Sequence, residues 1–255
     1  MNEWQWPGSA RAAVSLGYDD GNPDNLDQAM PDLEAAGLHG SFYLHLARHD
    51  VQSRADDWRA AHQRGHEIGN HTWHHNGRVD LYGGIRHPWI TKPLEEYTEA
   101  EMTDEINRAA DWLDDHIGGD PDRSFTYPCC HVALGQPPDR NAYAAAVAAR
   151  CRFARTGTVD NPKINDPGSV DLSLIQTVYF SKNTFKDFQA VIRQVLHDGG
   201  WACFGLHGVG GGSHVIERCV HQALIQELKG EPIWVAPVKT VAVWIEQHRS
   251  RDTRT

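Results

Sequence analysis

Short apolar runs alternate with helical periodicity along almost the whole chain of 255 residues, and this alternation constrains the fold more than any other feature. In the first unit, residues 12–16 are an apolar run, and residues 25–36 carry apolar side chains at three-and-four spacing before Gly37. Strands are predicted at 12–16, 40–46, 66–69, 124–128, 152–155, 174–180, 201–206 and 232–236. Helices are predicted at 25–36, 54–64, 98–116, 139–150, 184–197, 215–228 and 238–248.

Strands that alternate with helices pair in parallel through right-handed crossovers. Seven or eight such units predict an α/β fold, a closed or nearly closed (β/α) barrel, with an open doubly wound sheet as the alternative. No linker rich in Pro, Gly or Ser interrupts the chain, so a single domain over residues 1–255 is the simpler prediction.

Charge and cysteine content limit the partners and the compartment. Against 24 basic side chains there are 34 acidic ones, and the resulting charge of −10 argues against nucleic acid and membrane surfaces as partners. Five cysteines without a CxxC pair fit a reduced compartment. No leader is visible, so we expect a cytoplasmic protein if the chain is complete and a secreted or periplasmic one if a leader was removed. Nothing in the sequence indicates an oligomeric state.

Polar clusters follow four of the predicted strands. They are Tyr18-Asp19-Asp20-Gly21, His71-Thr72-Trp73-His74-His75, Tyr127-Pro128-Cys129-Cys130-His131 and Leu206-His207-Gly208. The strands of a (β/α) barrel end at one face, and that face carries the active site. We therefore expect these side chains to meet there.

Two of the clusters together suit a divalent cation. His71 and His75 are four residues apart, so on a helical turn both imidazoles face one side, and an acidic oxygen can be the third ligand. His74 offers a competing pairing. Of two adjacent carboxylates, such as Asp19 and Asp20, one can bind a metal while the other takes a proton. Each motif alone also fits a simpler structure, a hydrogen-bonded polar loop and an Asp-Asp-Gly turn.

The last cluster adds a histidine at the end of an apolar strand. His207 alone fits a core histidine with a backbone partner, and opposite a metal site it becomes a candidate general acid. The vicinal thiols of Cys129 and Cys130 could bind a metal or act as nucleophiles, but roles in packing and in the backbone are preferred.

The order and separation of Asp-Asp-Gly at 19–21, His-Thr-Trp-His-His at 71–75 and Leu-His at 206–207 resemble the polysaccharide deacetylase (NodB-like) family of carbohydrate esterases. The resemblance implies a distorted (β/α) barrel that hydrolyses N- or O-linked acetyl groups of an oligo- or polysaccharide. It implies a divalent metal, usually Zn²⁺, with Co²⁺ and Ni²⁺ as alternatives. It also implies a role for each matched residue: Asp20, His71 and His75 as metal ligands, Asp19 as base, His207 as acid, and Cys129 as donor of a backbone N–H to the oxyanion.

The expected reaction is attack of a metal-bound water on the acetyl carbonyl. Bound zinc lowers the pKa of water from ~15.7 to about 7, so Asp19 would deprotonate a nucleophile that is already partly activated. His207 would then protonate the leaving nitrogen or oxygen. An amide needs that proton more than an ester does, because an amine anion is the poorer leaving group.

Two departures from the family pattern concern the substrate and the efficiency of catalysis. The family commonly has an arginine, which steadies the catalytic aspartate, at the position of Thr126. Arg123 or Arg155 could take its place. The family's tryptophan-containing motif is not recognisable in residues 166–187.

Two other functions remain open. Residues 6–14 also resemble cytosolic relatives in the same superfamily that open small cyclic amides such as allantoin. The missing arginine motivates a third interpretation, a catalytically impaired sugar-binding protein. The aromatic residues around the loop after the histidine motif either stack on sugar rings or pack the loop; they are Trp73, Tyr82, Trp89 and Tyr97.

Overall fold

The computed structural model describes residues 4–136, 138, 140–210 and 215–252. Within these residues, eight parallel strands form one sheet, and seven of them close into a barrel. The barrel strands are β1 (Ala12–Tyr18), β2 (Ser41–Leu44), β3 (Glu67–Asn70), β4 (Ser124–Thr126), β7 (Phe153–Val159), β8 (Ile175–Tyr179) and β9 (Trp201–Leu206). The eighth strand is β10 (Ile233–Val235), and β5 (Ala133–Leu134) and β6 (Asn141–Ala142) form a separate antiparallel hairpin.

Pairing between the first and last barrel strands closes the sheet. β1 pairs with β9 over six residues, from Ala13 opposite Trp201 to Tyr18 opposite Leu206. The barrel is distorted between β3 and β4, where the described pairing consists of Asn70 opposite Phe125. This closure confirms the predicted barrel and excludes the open doubly wound sheet.

Helices cover the outside of the barrel. They are α1 (Met30–Ala35), α2 (His49–Gln52), α3 (Ala55–Gln63), α4 (Glu99–His116), α5 (Ala144–Ala148), α6 (Phe185–Asp198), α7 (Arg218–Gly230) and α8 (Val238–Asp252). The longest of them, α4, begins with a capping box, in which Thr98 accepts the Glu101 backbone N–H and the Glu101 side chain accepts the Thr98 N–H. No helix in the described part of the chain is long and apolar enough to cross a membrane.

Three predicted elements differ from the structure. The helix predicted at 25–36 begins as a π-helical turn, Asn25–Ala29, before α1. The helix predicted at 139–150 is reduced to α5, because residues on its N-terminal side form strand β6; residue 139 itself lies outside the described residues. The strand predicted at 152–155 continues to Val159, because β7 pairs with β8 along five residues.

Alternate residues of β1 face two different environments. Ala12, Val14, Leu16 and Tyr18 belong to the main apolar cluster, which includes side chains of the surrounding helices. The opposite series, Ser15, Gly17 and Asp19, faces the barrel interior, which holds buried polar groups. Glu67 is one of them, and its carboxylate accepts hydrogen bonds from Ser41 Oγ and Ser124 Oγ, both at 2.6 Å. The barrel therefore has an apolar outer layer, and its interior combines hydrogen-bonded polar groups with a second apolar cluster that includes Ala13, Phe153 and Trp201.

Candidate metal and catalytic site

Three potential metal ligands converge at the carboxyl ends of β1 and β3. In the described part of the chain, Asp20, His71 and His75 form the one group of three His, Cys, Asp or Glu side chains that could share an ion, and their ligand atoms lie within 4.8 Å of one another. Asp20 Oδ1 is 3.5 Å from His71 Nε2 and 3.4 Å from His75 Nε2. Two nitrogens and one carboxylate oxygen are the protein ligands of many catalytic zinc sites, which keep a fourth position open.

The hydrogen bonding of the two imidazoles suits this role. His71 Nδ1 donates to the Thr126 carbonyl oxygen at 2.9 Å, which leaves Nε2 to face Asp20. Burial, together with the neighbouring His71, lowers the pKa of His75 to about 3. The His75 ring is therefore neutral at neutral pH, and a neutral imidazole has the lone pair that a metal needs.

Asp20 fits a bound cation because one of its oxygens is otherwise unsatisfied. Asp20 Oδ1 is buried and has no hydrogen-bond partner among the described atoms. Burial opposes ionisation, but attraction to His75 and His71 outweighs it and holds the pKa of Asp20 well below its usual range. A buried, ionised oxygen without a donor is unfavourable unless a cation lies beside it. The donor set and this oxygen together fit a divalent metal ion.

The turn that carries the histidines is not helical. Residues 71–75 have no helical assignment, and Thr72 and His75 both have left-handed backbone conformations, with φ of 62° and 53°. The imidazoles of His71 and His75 meet through this irregular turn, with ring centroids 4.4 Å apart. The helical turn expected at residues 71–75 is therefore wrong, although the His71 and His75 rings do lie side by side. His74 points elsewhere, toward Glu105.

Asp19 lies beside this cluster and is held on both carboxylate oxygens. Arg155, fully buried on β7, pairs with Asp19 Oδ1. The Tyr179 hydroxyl donates to Asp19 Oδ2 at 2.8 Å and accepts a hydrogen bond from Arg155 Nη1 at 2.7 Å. Arg155 thus contacts Asp19, the aspartate that the family's arginine would contact from the position that Thr126 occupies here. Arg123 does not reach it, because its side chain binds Asp114 and the Gly118 carbonyl.

Glycines in neighbouring strands make room for these large interior side chains. A Cβ at Gly205 would overlap the ring of Tyr179, and a Cβ at Gly17 would lie 3.3 Å from the Arg155 guanidinium. The sequence held a weak signal for Arg155, which stands at the end of the strand predicted at 152–155 and was one of two candidates to replace the arginine missing at Thr126. It held none for Tyr179, which lies in an apolar strand pattern.

His207 and Cys129 lie close to the same cluster. His207 lies close enough to Asp20 and His75 to interact with both electrostatically, and its ring centroid is 6.1 Å from that of Tyr179. Cys129 follows β4, and burial raises the pKa of its thiol to about 12. The thiol is therefore protonated at neutral pH, which favours a backbone or packing role over a nucleophilic one.

Backbone strain is concentrated at this end of the barrel. Six described residues other than glycine have positive φ, and five of them lie in the segments after β1, β3 and β4. The five are Asp20, Thr72, His75, Cys129 and Cys130. Each such conformation costs roughly 1–3 kcal/mol and persists when surrounding contacts impose it. This clustering is typical of a functional site.

The four aromatic residues expected around the loop after the histidine motif lie in two different environments. Trp73 packs against the core under the Arg108 guanidinium, and Tyr97 is buried with its hydroxyl accepting from Asn76 Nδ2. Trp89 is 40% exposed, and its ring centroid lies 5.6 Å from that of His75. Tyr82 contacts Trp89 edge-on at 6.2 Å. Trp89 and Tyr82 are therefore the two that border the candidate site.

Comparisons with known proteins agree with this fold. The chain superimposes on a protein of Mycobacterium smegmatis provisionally described as a polysaccharide deacetylase, with 13% identity, a TM-score of 0.67 and coverage of 98% of this chain and 95% of the other. It is similar to a family 4 acetyl xylan esterase of Clostridium thermocellum in complex with a cobalt ion (19% identity, TM-score 0.59, 91% of each chain). It is also similar to the peptidoglycan deacetylase PdaC of Bacillus subtilis (15% identity, TM-score 0.55, 95% and 96%).

The sequence comparison identifies the family. No curated protein sequence matches the chain significantly. The sequence profile described as polysaccharide deacetylase matches residues 8–143, just over half of the chain, and this range contains the segments of Asp19, Asp20, His71, His75 and Cys129. The chain belongs to the polysaccharide deacetylase family.

Proposed function

We propose that the protein is a metal-dependent hydrolase that removes acetyl groups from a carbohydrate. Asp20, His71 and His75 would hold the divalent cation, and two imidazoles with one carboxylate suit Zn²⁺, with Co²⁺ or Ni²⁺ as alternatives. The observation that carries this proposal is the buried Asp20 Oδ1, which has no hydrogen-bond donor and faces two imidazole nitrogens at 3.4 and 3.5 Å. When bound there, such a cation supplies Lewis-acid chemistry: it polarises an acyl carbonyl and lowers the pKa of water.

Asp19 is the base in this proposal. Arg155 and Tyr179 each donate to one of its oxygens, and each oxygen of a carboxylate has two lone pairs. Asp19 thus keeps the capacity to accept a proton from the attacking water. Its two donors also fix the direction in which the remaining lone pairs point, and orientation of a base contributes to the rate.

His207 and Cys129 have the two remaining roles in this proposal, as proton donor to the leaving group and as hydrogen-bond donor to the oxyanion. His207 donates a proton to the leaving nitrogen or oxygen, and its place beside Asp20, His75 and Tyr179 supports this role. The backbone N–H of Cys129, on the left-handed turn after β4, would donate to the oxygen on which negative charge develops. One donor of this kind typically contributes ~3 kcal/mol of transition-state stabilisation.

The position of Arg155 weakens the case for one alternative function, the catalytically impaired sugar-binding protein. A catalytically impaired sugar-binding protein was motivated by the arginine missing at Thr126, and Arg155 supplies a guanidinium to Asp19 from another strand. No contact in the described residues favours a cyclic amide as substrate. One structural neighbour is named an acetyl xylan esterase and another a peptidoglycan deacetylase. We propose an acetylated oligo- or polysaccharide as substrate, with either linkage.

Metal analysis combined with acetate release tests the proposal. The purified protein should contain about one equivalent of divalent metal and should release acetate from an N-acetylglucosamine oligomer, an acetylated xylan or both. His71→Ala and His75→Ala should lose metal and activity together, whereas His49→Ala, at an exposed position on α2, should retain both. Ring opening of allantoin without acetate release would favour the cyclic amide hydrolase. Bound metal with no reaction on any of the three would favour the binding protein.

A further inference from the structure

The turn that carries two of the candidate ligands has few supports of its own. It leaves the end of β3 at Asn70 and contains no regular secondary structure, and Thr72 and His75 are both left-handed. Two local hydrogen bonds shape it: the Thr72 N–H donates to Asn70 Oδ1 at 2.8 Å, and the His75 N–H donates to Thr72 Oγ1 at 3.0 Å. Left-handed backbone at residues other than glycine is intrinsically unfavourable, so further contacts are needed to keep this conformation dominant.

The segment after β2 supplies two such contacts, from the Leu46 N–H to the Thr72 carbonyl at 3.3 Å and from the Ala47 N–H to the Trp73 carbonyl at 2.6 Å. Helix α4 supplies others from outside the barrel. Glu105 Oε2 accepts the backbone N–H of His74 at 2.9 Å, and Glu105 Oε1 accepts from His74 Nδ1 at 2.6 Å. One turn further along α4, the Arg108 guanidinium lies 3.7 Å from the ring centroid of Trp73. Both residues of the turn that lie between Thr72 and His75 are thus held by one helix.

Glu105 makes the stronger of these two contacts. Hydrogen bonds to a carboxylate are shorter and about twice as strong as those between neutral groups, and the Glu105 side chain is 14% exposed, so solvent screens it little. Its two oxygens bind both the main chain and the side chain of His74, which restrains the position of His74 in two directions. His74 is the residue directly before the ligand His75.

We propose that Glu105 is a positioning residue for the metal centre: through His74, it holds the 71–75 turn in the conformation that points His71 and His75 at Asp20. This inference rests on the proposed function, in which the three residues bind a divalent cation. Glu105 itself does not contact the cation or the substrate. Without its carboxylate, the turn gains access to other backbone conformations in which the two imidazoles no longer converge. Metal affinity falls as a result, while the apolar core remains intact.

The test compares zinc affinity among folded variants, measured by competition with a chromophoric chelator. Glu105→Ala should raise the zinc dissociation constant by ~10-fold or more, as loss of an outer partner of a metal site does. Glu105→Gln should give an intermediate value, because its amide oxygen still accepts the His74 N–H. Asp104→Asn, at the exposed neighbouring position on α4, should bind zinc like the wild type.

His74→Ala provides a second variant that leaves α4 unchanged. It removes the contact to Oε1 but keeps the one to the backbone N–H, so its zinc dissociation constant should rise less than that of Glu105→Ala. Zinc affinity of Glu105→Ala and His74→Ala equal to that of the wild type would overturn the positioning role and leave the metal site standing. Absence of zinc binding by the wild type would instead overturn the proposed function.

Discussion

Asp19 and Arg155 form an ion pair in the interior of the barrel, although they lie 136 positions apart in the chain. Their side chains are 3% and 0% exposed, and the guanidinium lies 4.1 Å from the ring centroid of Tyr43. Tyr179 bridges the pair by donating to Asp19 and accepting from Arg155. A charged network from β1, β2, β7 and β8 therefore stands immediately beside the candidate metal ligands.

Replacing Arg155 should destabilise the protein and impair its activity. Arg155→Met leaves the Asp19 carboxylate buried without its cation, and breaking a buried pair in this way costs about 3–5 kcal/mol. The double variant Asp19→Asn/Arg155→Met should recover part of this stability, because no unpaired charge remains. Free energies of unfolding from urea titrations measure both effects. Arg152→Met, which removes two partly exposed ion pairs, with Asp122 and Glu246, should cost far less, at most about 1 kcal/mol for each pair. If the free-energy changes of Asp19→Asn and Arg155→Met simply add in the double variant, Asp19 and Arg155 are not coupled.

Loss of His207 should affect amides more than esters. His207→Ala removes the proposed proton donor, and a general acid typically contributes ~10²–10⁴ in rate. We expect a fall of at least about 100-fold in kcat/KM on an N-acetylglucosamine oligomer, and a smaller fall on an acetate ester, since an alkoxide leaves more easily than an amine anion. His49→Ala is the matched control. Equal losses on the two substrates would argue against His207 as the acid.

Trp89 should contribute to binding of the sugar. Its exposed ring borders His75, and stacking on an aromatic face contributes ~0.5–1.5 kcal/mol, so Trp89→Ala should raise KM for an acetylated oligosaccharide by about 2- to 10-fold. Hydrolysis of a small acetyl ester without a sugar should change little. Leu81→Ala, at a position 55% exposed near the same loop, is the control. An equal change in KM for both substrates would indicate a general disturbance of the site.

Protonation of His66 should contribute to acid unfolding. In the folded protein, His66 Nδ1 accepts the Gly40 N–H at 3.1 Å while Nε2 faces Glu34, and burial lowers the pKa of His66 from 6.5 to about 4. Between these values, the unfolded chain binds a proton that the folded protein does not. The contribution to stability is therefore complete above about pH 6.5 and is lost as the pH falls toward 4, by about 1.4 kcal/mol for each pKa unit.

Urea unfolding at several pH values measures this contribution. His66→Gln retains an acceptor for Gly40 but has no titrating proton, so its free energy of unfolding should depend less steeply on pH between 4 and 6.5. His197→Gln removes a histidine whose side chain is 84% exposed and should leave the slope unchanged. A slope for His66→Gln equal to that of the wild type would contradict the prediction.

Local patterns were sufficient for most of the secondary structure. The strand predicted at 201–206 is β9, and the helix predicted at 98–116 is α4 with its N-cap residue. Such elements follow from the spacing of apolar side chains and from capping groups, which are properties of neighbouring residues. The failures have local causes as well: strand β6 shortens α5, and two left-handed residues replace the helical turn expected at 71–75.

What the sequence determined by itself was the alternation of strands and helices and the set of polar clusters at the carboxyl ends of the strands, because parallel strands joined by helices bring those ends to one face. Only the tertiary structure decided which groups support those clusters. Arg155 and Tyr179 reach Asp19 across the interior, and Glu105 reaches His74 from a helix outside the barrel. Such partners depend on the closure of β9 onto β1 and on the depth at which each side chain lies, and no spacing along the chain encodes either of these.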